Sequence, residues 1–322
     1  MTSKNEKRRQ AKLFYNRHPF AFSLLATSCI LCCAIFLSQE LSDYAKNGFL
    51  LSFKVIIPAV FPFLILTDFA IKYIRFERIS FLKRAFERIF NISGNGISAL
   101  ICGLLCGFPI GARVSSSLYQ SGKISKDECE SLLAFSNNAS PGYIISVIGL
   151  GIRGSLRDGI LLYSSVVVSS IFTGIIIQKK SDNKFSLLDF PEETNYDFIN
   201  SVKESINVCL SICGFVTAFS VLTGLIKQTI QSEILLCIIL PFIEIGNACN
   251  FLANDTSLSP DATLLLTAFA TAFSGFSVFA QTRGCINLTF KFPTRKYLYI
   301  KLVQALISTI YVAITVFLFK AI

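Results

Sequence analysis

Nine apolar stretches set what this chain can fold into, because an α-helix needs about 20 apolar residues to cross the hydrocarbon core of a bilayer. They run over residues 19–37, 49–71, 97–112, 132–150, 159–177, 204–226, 234–252, 262–282 and 299–319. In lipid every backbone N–H and C=O must find its partner within the protein, so segments of this kind fold as helices. The prediction is an all-α polytopic membrane protein with the bilayer as its main partner. Only 16% of the 322 residues are charged and 52% are hydrophobic, far from the balance of a soluble domain. The first stretch follows Lys4, Lys7, Arg8, Arg9, Lys12 and Arg17 and ends at Leu37-Ser38-Gln39-Glu40. That end lacks a small-residue cleavage site, so residues 1–48 read as a cytoplasmic basic arm and an uncleaved first helix.

Composition excludes several chemistries. The formal charge of +10 falls in no basic stripe interleaved with aromatics, which argues against a nucleic-acid partner. The 11 Cys are odd in number and lie mostly inside apolar runs, as Cys102/Cys106 and Cys209/Cys213 do, while the one His, His18, sits in the polar arm. They read as small apolar residues, and no metal or other cofactor is expected. No nucleophile–base pair or acid cluster can be named, so an enzyme is not expected. Gly149-Leu150-Gly151-Ile152-Arg153-Gly154 matches a dinucleotide-binding pattern, but without a preceding strand it reads as a tight external loop.

Lys and Arg in short loops orient the chain. The N-terminal arm, the loop of Lys72, Arg75, Arg78, Lys83, Arg84 and Arg88, the Lys179/Lys180/Lys184 loop and the Lys291/Arg295/Lys296 loop are predicted cytoplasmic; the loop of Asn254, Asp255 and Asp261 is predicted external. Three apolar segments separate the second and third cytoplasmic loops, and three separate the third from the fourth, an odd number each time, so one in each set fails to cross. In the first set that is 97–112, with Gly103, Gly107 and Gly111 at four-residue spacing and Pro109 as a breaker; in the second it is 234–252, interrupted at Pro241 and Glu244. The order of spans in 49–180 is then repeated upside down in 201–322, with 181–200 as a polar linker. Inverted repeats with broken helices are the architecture of many secondary transporters.

The strongest local constellation is Phe135-Ser136-Asn137-Asn138-Ala139-Ser140-Pro141-Gly142, where Pro141 and Gly142 are expected to break the helix and leave Asn137, Asn138 and Ser140 to hold a polar solute. Its counterpart is Ser274-Gly275. Glu244, the one acid inside the 234–252 segment, with Asn247 near it, and Gln281, at the end of the 262–282 segment, complete the expected solute-binding set. Gly103, Gly107, Pro109, Gly111, Pro141, Gly142 and Gly275 are expected to shape the breaks. Arg113 is expected to snorkel toward the cytoplasm.

The runs Gly107 to Arg113, Gly122 to Glu128, Phe135 to Pro141 and Gly275 to Thr282 resemble those of the sporulation integral membrane proteins of spore-forming bacteria, the YlbJ-like group, which belongs with the Gate-domain or nucleoside-recognition membrane proteins. The resemblance implies a multi-pass protein of the bacterial cell membrane, two Gate-type repeats and a part in making the spore cortex. Ala139 stands where that group usually has Ser, and the second hairpin ends in Asn247-Ala248-Cys249. The function expected is a secondary transporter for a small polar solute or envelope precursor, with a non-transporting scaffold or signalling protein as the alternative.

Overall fold

The computed structural model describes residues 38–66 apart from 59 and 63, residues 84 and 88–90, and residues 93–177, 197–286 and 290–321. The basic arm, the 19–37 stretch, most of the 72–93 loop and most of the 181–200 linker lie outside the described residues. No strand occurs among the described residues. The helices are α1 (Ser38–Leu51), α2 (Gly96–Cys106), α3 (Ile110–Gln120), α4 (Lys126–Phe135), α5 (Leu156–Ile177), α6 (Phe198–Thr229), α7 (Glu233–Ile243), α8 (Ile245–Asn254), α9 (Pro260–Phe273), α10 (Gly275–Cys285) and α11 (Thr294–Ala321). Two π-helical segments join them, Ser52–Ile56 after α1 and Gly142–Ile152 before α5.

Among the described residues four stretches are long and apolar enough to cross a membrane: Leu156–Ile177, Phe198–Thr229, Pro260–Gly284 and Thr294–Leu318. A fifth arises if Gln39–Ile56 and Val60–Leu66, bent by 52°, form one span. Leu210, Phe172, Ile310 and Phe317 lie exposed on their outer faces, as side chains facing lipid do. The sequence boundary at residue 48 falls inside α1.

Among the described residues four of the apolar segments are interrupted, the last of them inside the Pro260–Gly284 stretch. Segment 97–112 divides at Gly107–Pro109 between α2 and α3, and 132–150 divides at Ser136–Ser140. Segment 234–252 divides at Glu244, and 262–282 divides at Ser274, where φ is +71. The order along the chain is α1 with its bent continuation, broken pair, broken pair, α5, and then α6, broken pair, broken pair, α11. Packing follows the same order: α2 lies on α3 as α7 lies on α8, α3 on α4 as α8 on α9, and α4 on α11 as α9 on α5.

Candidate functional site

The breaks converge because small residues let them touch. A Cβ on Gly103 would stand 1.7 Å from the Ser136 carbonyl oxygen, and one on Gly111 would stand 2.2 Å from it, so the first break fits against the second only through glycine. Gly107, with φ +87, lies against the backbone of Ser140. In the other half Gly275, with φ +74, lies against the Ile243 carbonyl and Glu244. These left-handed positions suit glycine, which has no Cβ to clash. Pro141 and Gly142 act differently from expectation. Pro141 has right-handed helical dihedrals and opens the Gly142–Ile152 π-helix, and nothing lies within 4 Å of a Cβ built on Gly142. The chain leaves the helix earlier, at Ser136, and the Ser140 hydroxyl accepts from the Tyr143 N–H at 3.2 Å to start the next one.

One cavity collects three of the breaks and the helix that follows the fourth. Gly107 and Phe108 come from the first, Ser140 and Tyr143 from the second, Glu244 and Ile245 from the third, and Ser277, Val278 and Gln281 from the helix after the fourth; Ile56, Val60 and Val216 close it. It has room for about one water. Most of the wall is apolar, and Phe108 meets Tyr143 edge to face at 6.3 Å.

Glu244 is 2% exposed. It caps the N-terminus of α8: Oε1 accepts from the Gly246 N–H at 3.0 Å, and Oε2 accepts from the Asn247 N–H at 2.6 Å and the Asn247 side-chain amide at 2.9 Å. A carboxylate there is stabilised by free N–H groups and the helix dipole. Asn247 also donates to Ser220 of α6 at 3.0 Å. Gln281 is 1% exposed and its Oε1 has no hydrogen-bond partner among the described residues. Of the expected solute-binding residues, then, Ser140, Glu244 and Gln281 line the cavity. Asn247 braces Glu244, and the buried Ser274 hydroxyl donates to the Thr271 carbonyl at 3.2 Å.

Asn137 and Asn138 are not on the cavity wall. They enter a buried network that ties the second break to α10, α5 and α11. Asn137 Nδ2 donates to Thr282 at 2.7 Å and Tyr297 at 3.1 Å; Asn138 Nδ2 donates to the Phe135 carbonyl at 2.8 Å and Ser170 at 3.2 Å. Gln304 Nε2 donates to Asn138 Oδ1 at 2.6 Å, and Lys301 Nζ donates to the Asn137 carbonyl at 3.1 Å. Sequence reasoning passed over Lys301, which stands near the start of an apolar segment and reads as one more interfacial anchor. The signal was the spacing of Tyr297, Lys301, Gln304 and Ser308, which puts four polar side chains on one face of α11. Arg113 pairs with the exposed Glu204 of α6 at 2.9 Å.

Comparison with known proteins gives one informative likeness. The chain is 24% identical over 293 residues to the sporulation integral membrane protein YlbJ of Bacillus subtilis, covering 78% of this chain and 72% of the relative. No family model matches the chain, and no solved structure matches it.

Proposed function

We propose that this chain, similar to the sporulation integral membrane protein YlbJ, is a membrane protein of sporulation and a carrier for a small polar solute or envelope precursor used in making the spore cortex. The observation that carries the reading is the meeting of three helix breaks and the helix after a fourth on one cavity that holds a buried carboxylate and an unpartnered amide oxygen. Broken helices meeting between two inverted halves are where carriers bind solute, because only there can irregular backbone be tolerated at membrane depth. The twice-repeated element order and the matching packing pairs support the inverted arrangement. The polar groups on the wall include strong acceptors, Glu244 and Gln281 Oε1, so the solute is one that brings hydrogen-bond donors, with an apolar part to lie against Phe108 and Tyr143. In the conformation described the cavity is too narrow for such a solute, and admission requires the halves to move about the breaks.

The test separates cap from site. Glu244→Gln keeps an acceptor for the α8 N-terminus but loses the charge; Glu244→Ala loses both, at a cost of ~1 kcal/mol for the cap. Purified protein is screened by thermal shift against amines, nucleosides and cell-wall precursors. The carrier reading predicts a compound that stabilises the native protein and fails to stabilise folded Glu244→Gln. No stabilising compound, or equal stabilisation of the variant, sinks it. The narrow cavity favours a second reading, a non-transporting scaffold that keeps the carrier fold, and that reading predicts no response to any of them.

A further inference from the structure

Lys301 lies outside that cavity, and its place does not depend on whether a solute moves. Its side chain is 1% exposed, and no carboxylate pairs with it among the described residues. A lone ammonium inside a membrane helix bundle is costly unless dipoles surround it. Two oxygens do so. The Asn137 carbonyl, 3.1 Å from Nζ, is released where α4 ends and so lies at the negative end of that helix. Gln304 Oε1 accepts from Nζ at 2.9 Å.

The surrounding amides are oriented for this. Gln304 must present its oxygen to Lys301 because its nitrogen is committed to Asn138 Oδ1. Asn138 must present its oxygen to Gln304 because its own nitrogen is committed to Phe135 and Ser170. Asn137 spends its nitrogen on Thr282 and Tyr297, which leaves its Oδ1 buried without a partner. A break carbonyl flanked by side-chain amide oxygens is the donor set by which discontinuous membrane helices hold monovalent cations.

We propose that Lys301 is a tethered cation that fills a monovalent-cation site at the break after α4, with the Asn137 carbonyl and the Gln304 amide as its ligands. The native chain therefore needs no free ion there. Removing the ammonium opens the site to one.

The experiment uses full-length protein purified in sodium, potassium, methylammonium or choline chloride at equal ionic strength. Native protein melts at the same temperature in all four. Lys301→Ala melts several degrees higher in sodium, potassium or methylammonium than in choline, which is too large for the site. Lys301→Met, which fills the space without charge, responds less than Lys301→Ala. If Lys301→Ala does not survive in choline, the yield of monodisperse protein in each salt reads the same effect. Equal melting temperatures across the salts, or equal yields including none in any salt, overturn the proposal.

Discussion

At the scale of single residues, the account turns on glycines whose missing Cβ is occupied by another segment. Gly103 and Gly111 both face the Ser136 carbonyl, closer than any real Cβ could stand, and the obstructing atom is backbone. Gly103→Ala is therefore expected to destabilise by ~3 kcal/mol or more, the upper range of overpacking. Gly142→Ala is the matched control, since its Cβ would meet nothing within 4 Å. Melting temperatures of the two variants check this, and equal effects would contradict the packing described. The sequence shows four-residue spacing of Gly103, Gly107 and Gly111 and so points to close approach, but it gives no sign that the partner is the Ser136 carbonyl, in a later segment of the chain. Gly142 shows the reverse error: a Gly after Pro reads as a breaker, whereas the helix has already ended at Ser136 and Pro141 suits the first turn of the next.

At the scale of elements, interrupted helices were legible wherever a breaker stood in an apolar run. Pro109 and the Glu244 region mark the first and third breaks, and Ser274-Gly275 the fourth. What faced each break was not legible, because hydrophobic pattern fixes which residues are buried and says nothing about which buried neighbour a polar group meets. Asn137 and Asn138 show the difference. Each sits beside a break, yet both amides are spent bridging helices. Replacing both with Ala is expected to cost ~1 kcal/mol for each interhelical hydrogen bond lost. Any ligand-induced stabilisation per folded molecule should survive. Measuring folded yield beside the thermal shift distinguishes this from a direct contact, which would remove the shift while leaving yield intact.

At the scale of the whole molecule, the claim that organises all of this is that the two halves are inverted in the membrane. The turn between α3 and α4, carrying the exposed Lys123, and the turn between α8 and α9, carrying the exposed Thr256, occupy equivalent places in the two halves. Inversion puts them on opposite sides of the bilayer, Lys123 in the cytoplasm with the basic loops and Thr256 outside. The most direct test is labelling of Lys123→Cys and Thr256→Cys with a membrane-impermeant maleimide in intact bacterial cells, in a background with the native cysteines replaced. The account predicts that Thr256→Cys reacts in intact cells and Lys123→Cys reacts only after the membrane is permeabilised. Reaction of both positions from the same side would contradict it.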